Sequence, residues 1–155
     1  MDEVRWLNEQ EMAAWTSFLA ASSLLGRRLD QQLKDEAGLS HPQYEILTRL
    51  SAAPGGELRM SELADALLTS KSGLTYQVTQ LEKSGLVRRR SYAGDVRGVL
   101  AVLTEEGRAK LRATAPGHVT LVRELLIDVL APGQLATLTE ALGTVADRLR
   151  GSAVP

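Results

Sequence analysis

The stretch "SKSGLTYQVTQLEKSGLVRRRSYAGDVRGVLAVLT" (residues 70–104) holds the two patterns that decide the fold. Its first half has a helical period. On a wheel of about 100° per residue, Leu74, Val78 and Leu81 share one side, while Ser72, Thr75, Tyr76, Thr79, Gln80 and Lys83 fall largely on the other. Ser70 is a good N-cap, because its side-chain oxygen can accept an amide of the first turn. Gly85 stops the helix as a C-cap glycine. Residues 87–92 and 99–103 then read as strands. A loop over 93–98 with Gly94 and Gly98 joins them into a hairpin, because glycine lets the backbone turn sharply.

Outward from this centre both ends are helical. From Glu9 to about Glu36, Trp15, Phe18, Leu25, Leu29 and Leu33 recur at steps of three, four and seven, and Gly38 closes that helix. "SHPQ" reads as a capping box of Ser40 and Gln43 with Pro42 in the first turn; the helix it opens runs to about Leu50 and buries Tyr44, Leu47 and Leu50. "APGG" is a break, and "ELRM" predicts a very short strand. Ser61 is expected to cap the next helix, with Glu62 and Asp65 in its first turn and Leu63, Ala64 and Leu67 inward. Thr104 caps a long helix that Pro116 and Gly117 should kink. After "APGQ", a last helix carries Leu135, Leu138, Leu142, Val145 and Leu149, a seam that asks for a partner.

The predicted architecture is therefore mainly α with a small β-hairpin wing, a winged helix-turn-helix between flanking helices. We divide it into an N-terminal dimerisation helix (1–39), a winged DNA-binding domain (40–104), C-terminal dimerisation helices (105–150) and a flexible tail (151–155).

Charge is distributed unevenly. The whole chain has a net charge of −1, but residues 71–99 hold six basic side chains (Lys71, Lys83, Arg88, Arg89, Arg90, Arg97) against two acidic ones (Glu82, Asp95). One positive face on a near-neutral protein suits a polyanion; a merely solvated face is the alternative. The outer side of the 70–84 helix offers hydroxyls and an amide, groups that address base edges and phosphates, and Ser70, Lys71 and Ser72 sit where free amides favour phosphate. Arg97 at the hairpin tip is of the right kind to enter a narrow minor groove. Asp95 is repelled by DNA and is read as bracing the loop or Arg97, with Gly98 completing the turn. Arg88 and Arg90 alternate along the strand, and some of these arginines should meet phosphates. A plain surface ion pair between Asp95 and Arg97 is the competing reading.

Several classes are excluded. There is no cysteine, so neither a disulfide nor thiolate chemistry is open to this chain, and only His41 and His118 are present as imidazoles, so a zinc site is not expected. No cofactor is implied. No glycine-rich phosphate loop, His-Glu-x-x-His pair or Gly-x-Ser-x-Gly elbow occurs, so an enzyme is not expected. The start, "MDEVRWLNEQ", is acidic and polar rather than a signal peptide, and a cytoplasmic protein with no membrane partner is expected.

These residues resemble the MarR (multiple-antibiotic-resistance regulator) family of transcription factors. The likeness runs through residues 60–90, then Asp95-x-Arg97-Gly98, then "LTEEG" (residues 103–107). It implies a homodimer with interlocked terminal helices, whose two winged domains bind one pseudo-palindromic operator in double-stranded DNA, two recognition helices entering successive major grooves. The positions where family members often carry recognition-helix arginines hold Tyr76 and Gln80 here. Lys71 and the wing arginines must then supply most of the charge; Tyr76 either meets a thymine methyl or phosphate or packs on a neighbouring helix. The DNA-binding set is thus Ser70, Lys71, Ser72, Thr75, Tyr76, Thr79, Gln80, Arg88, Arg90 and Arg97. The resemblance also implies a repressor released by a small, often aromatic, effector. The residues singled out for its pocket are Trp15, Leu19, His41, Tyr44 and Leu47, of which Trp15 and Tyr44 also read as plain core. A winged-helix protein-interaction module that never touches DNA is the alternative function, and it would expose apolar residues where this chain is basic.

Overall fold

The computed structural model describes residues 3–92, 94 and 98–152. Along these the order is α1 (Glu9–Ala37), α2 (His41–Ala52), a 3-10 turn (Pro54–Gly56), β1 (Glu57–Arg59), α3 (Met60–Leu67), α4 (Lys71–Lys83), β2 (Val87–Ser91), β3 (Val99–Leu103), α5 (Glu105–Val122), a π-helical turn (Arg123–Ile127) and α6 (Pro132–Ser152). The contacts divide the chain after His118 into two compact units.

The first unit is built on local signals. Asn8 accepts from the Glu11 amide and Glu11 from the Asn8 amide, a reciprocal cap that starts α1. Gly38 ends it at φ 67°, in the left-handed region that a side chain would strain. The Ser40–Gln43 box opens α2 as expected, Ser40 Oγ accepting from the Gln43 amide at 3.3 Å. Leu33, Ile46, Leu47, Leu50, Leu63, Leu74, Val78, Leu81 and Val87 are fully buried. Each such aliphatic side chain contributes about 1.5–3 kcal/mol by leaving water.

The sheet is antiparallel in the order β1-β3-β2. Glu57 and Arg88 both lie opposite Val102, and Arg59 and Arg90 both lie opposite Leu100. Alternation along strands therefore puts Glu57, Arg59, Arg88 and Arg90 on one face. Val87 and Arg89 take the other. The central strand β3 is buried at four of its five positions. Thr104 closes the base of the hairpin: its amide donates to Leu86 O at 3.1 Å and its hydroxyl to Gly85 O at 2.7 Å, while that hydroxyl accepts from the Gly107 amide at 3.0 Å. Gly107 has no freedom to be anything larger. A Cβ there would stand 2.1 Å from Leu86 O.

Two expectations are corrected. Ser61 does not cap α3: the helix begins at Met60 with Arg59 at the cap position, two residues earlier than expected, and the Arg59 amide donates to the Glu62 carboxylate at 3.2 Å. The short strand runs straight into the helix, so the capping position falls on a strand residue. α5 runs from Glu105 to Val122 with Pro116 inside it. A Cβ at Gly117 would stand 2.7 Å from Oε2 of the exposed Glu36, the free end of a flexible side chain that can move aside. The irregular turn comes later, at Arg123–Ile127, where Arg123 pairs with Asp128 at 2.6 Å. Finally, Gly151 and Ser152 are helical, part of α6 rather than a loose tail.

In the second unit, α6 carries the Leu135–Leu149 seam with Leu142, Val145 and Leu149 exposed. Among the described residues no single helix is long and apolar enough to cross a membrane.

Candidate nucleic-acid interface

α4 is anchored by its inner face and capped at its start. Leu74, Val78 and Leu81 are buried at helical spacing, and Ser70 Oγ accepts from the Gly73 amide at 3.1 Å. Lys71, Ser72, Thr75 and Tyr76 are exposed, and Thr79 and Gln80 half-buried. Tyr76 is 62% exposed, so most of its ring is not covered within the chain. The hydroxyls are less free than their types suggest. Thr75 Oγ1 donates to Lys71 O and Thr79 Oγ1 to Thr75 O, each at 2.8 Å. Their protons are committed to the helix, so each oxygen keeps only its accepting capacity, and at Thr79 Arg89 takes part of that.

The arginine run resolves into three different situations. Arg88 is exposed and makes no ion pair among the described residues. Arg89 turns back to α4. Its Nη2 donates to Thr79 Oγ1 at 3.1 Å and to Glu82 Oε1 at 3.3 Å, and its amide donates to Glu82 Oε2 at 3.0 Å. These bonds hold the Glu82 carboxyl below the usual carboxylate range. Arg90 Nη2 donates to both oxygens of Glu57, at 2.8 and 2.7 Å.

Between α4 and the hairpin lies a cleft of about 570 Å³. Its walls are Arg59, Met60 and Ser61 where β1 meets α3, Thr75 of α4, Arg89, Arg90 and Ser91 of β2, and Gly98 and Val99 at the other side of the hairpin. The Arg59 guanidinium also lies over the Tyr92 ring, 4.2 Å from its centroid, a geometry that suits a cation on a π face. Three arginines thus line the cleft, two of them already paired with carboxylates, and arginine is a residue type that suits a phosphate backbone.

The expected residues are thus partly brought together. Thr75 and Arg90 share the cleft, Ser70 caps α4, and Lys71, Ser72 and Tyr76 project from the helix beside it. Arg88 projects from the strand, while Thr79 is engaged by Arg89. Asp95 and Arg97 lie outside the described residues; Gly98 O accepts from the Tyr92 amide at 2.9 Å at the hairpin's edge. Arg59, Ser61 and Arg89 were not expected in the cleft. The only signal for Arg59 was its two-residue spacing from Glu57 in a strand where its pairing partner, Leu100, is 41 residues away.

The residues singled out for an effector divide. His41 and Tyr44 line a second cavity, of about 280 Å³, with Glu45, Thr48, Arg49, Ala52 and His118. The Tyr44 and His118 rings are 4.4 Å apart between centroids, and those of His41 and His118 5.9 Å. Burial pushes the His118 pKa below its ordinary 6.5, nearby His41 adds to that, and Glu45 opposes it. Burial likewise raises the Tyr44 phenol, which stays neutral. Trp15 and Leu19 are not in this cavity but on the exposed side of α1, Trp15 stacked on Phe18 at 6.4 Å. Leu47 is fully buried core. Among the described residues no group of three or more His, Asp or Glu side chains is placed to hold a metal ion.

A family model described as "MarR family" matches residues 37–98. The regulator PecS of Dickeya dadantii (strain 3937) is 31% identical over 130 residues, covering 79% of this chain and 77% of that protein. Two solved structures from Streptomyces coelicolor are each 44% identical. The MarR family regulator AbsC superposes with a TM-score of 0.92, covering 96% of this chain and 99% of that one. The MarR family regulator Sco3205, solved in complex with DNA, superposes at 0.93, covering 96% and 93%.

Proposed function

This chain belongs to the MarR family of transcriptional regulators, and from that premise we propose that it is a homodimeric repressor. In this reading it grips a pseudo-palindromic operator and lets go when a small aromatic effector binds. The observation that carries the DNA reading is the arginine-lined cleft between α4 and the hairpin. The Sco3205 structure supports it, because a chain of the same fold and 44% identity is solved there with DNA. Residues 40–104 form the DNA-binding part, with Ser70, Lys71, Ser72, Thr75, Tyr76, Gln80, Arg88, Arg90 and Arg97 facing the duplex and Thr79 acting mainly through Arg89. Such a regulator works beside the chromosome, in the cytoplasm.

Two uncovered apolar faces support the dimer. Trp15, Phe18 and Leu19 are exposed on α1, and Leu142, Val145 and Leu149 on α6. Residues 1–39 and 105–150 supply them, and contiguous faces of this kind mark association surfaces. Two winged domains held at a fixed separation match the repeat of duplex DNA, about 34–36 Å. The cavity under His41, Tyr44 and His118 has room for a single ring, and an effector there would bear on α2, which packs against α4.

Fluorescence anisotropy against duplexes from the protein's own promoter tests the central claim. With about six to ten phosphates neutralised per dimer, log K falls with log salt at a slope of roughly −5 to −9. Binding indifferent to salt, or a monomer in sedimentation at working concentration, refutes it. A thermal-shift screen with aromatic acids tests the effector.

A further inference from the structure

We propose that Glu57 is a built-in competitor for DNA phosphate, which lowers the protein's affinity for every duplex by holding Arg90. The inference rests on the DNA-binding reading and names a determinant within it. Arg90 lines the cleft beside α4, whereas Glu57 is not among the cleft residues. The two side chains meet diagonally across β3, on the face of the sheet they share with Arg59 and Arg88. Nη2 of Arg90 donates to both carboxylate oxygens, and the pair is only part-covered, with 41% and 32% of the side chains exposed. Nε and Nη1 donate to nothing among the described residues.

A phosphate entering the cleft therefore meets a guanidinium whose charge is already balanced. If Arg90 turns to the phosphate, Glu57 is left unpaired beside a polyanion. If it stays, the carboxylate subtracts from the attraction. Both routes weaken the phosphate contact, and neither involves a base edge. The effect falls on affinity and salt dependence and leaves sequence preference alone. A half-exposed pair adds little to stability, so the fold has little need of it.

The test is a double-mutant cycle on the full-length protein with Glu57→Gln, Arg90→Gln and the double variant. Anisotropy is read against two fluorescein-labelled duplexes, one random in sequence and one from the protein's own promoter. Glu57→Gln should tighten both by a similar factor, roughly fivefold at low salt, and steepen the salt slope by about 0.9 per protomer. The gain should vanish in the Arg90→Gln background. A weaker Glu57→Gln protein would overturn the proposal, making Glu57 a positioning residue for Arg90. An equal gain without Arg90 would overturn it too, as a general effect of removing a charge. If the wild type binds salt-dependently and Glu57→Gln gains nothing, this inference alone falls; if the wild type binds neither duplex, the DNA reading falls with it.

Discussion

Arg89 Nη2 donates to Thr79 Oγ1 at 3.1 Å, so the strand that follows the candidate recognition helix is tied back to the middle of that helix. The Glu82 carboxylate completes the tie from one turn further along. The angle between helix and hairpin, and with it the width of the cleft, depends on this group.

Arg89→Met should keep the stem and lose the tie. The expected cost is about 1 kcal/mol in urea unfolding, since the guanidinium is part-exposed and screened. DNA affinity should fall by more than that, about tenfold or greater, because the geometry of the cleft is lost as well as a charge. Equal losses in both assays would mean that Arg89 only stabilises.

Arg88→Ala is the contrasting case. Exposed and without an ion pair among the described residues, it should leave stability within about 0.5 kcal/mol. Binding should weaken evenly across sequences, with the salt slope reduced by about 0.9 per protomer. An unchanged slope would place Arg88 away from the phosphates.

Gly107→Ala should be the most damaging single methyl. Its Cβ would stand 2.1 Å from the Leu86 carbonyl oxygen and 2.6 Å from Leu103 Cδ1, and the backbone contact cannot yield without moving α5 off the hairpin. We expect a loss of about 3 kcal/mol or more, read as a drop in Tm. A near-native Tm would mean that α5 shifts freely at its start.

Acid should loosen the meeting point of α1, α2 and α5. The depressed His118 pKa means that the folded protein binds this proton less well than the unfolded chain. The stability that neutral His118 supplies is complete above the ordinary value of 6.5 and is lost as pH falls through it and through the depressed value below. Tm should therefore decline on going from about pH 7.5 to about pH 5. His118→Gln should flatten that decline; an identical decline in the variant would assign it to other groups.

The order of elements was legible because its signals are local. Ser40 with Gln43, Ser70 and Thr104 each announce a helix start within three residues, and Leu74, Val78 and Leu81 repeat at the helical period. Where two local signals abutted, as at Arg59 and Met60, the boundary slipped by two residues. The site was only partly legible, because its chemistry is set by distant pairs. Arg90 finds Glu57 33 residues away, and His118 Nδ1 stands 3.4 Å from Gln32 Oε1, 86 residues away. A row of three arginines reads as uniform charge, yet the fold pairs Arg89 with Glu82 and Arg90 with Glu57 and leaves Arg88 exposed. The place of His118 was hidden for a related reason: its neighbours Gln32 and Tyr44 come from helices far away in sequence.

Thr104 joins the end of α4, the foot of the hairpin and the first turn of α5 through one hydroxyl and one amide. The two strands project from that rivet as a cantilever about 16 Å long. Leverage follows: a tilt of about 5° at the rivet displaces the far end by roughly 1.4 Å, half the length of a hydrogen bond. A small change of seat at Thr104 is thus magnified where the strands reach furthest.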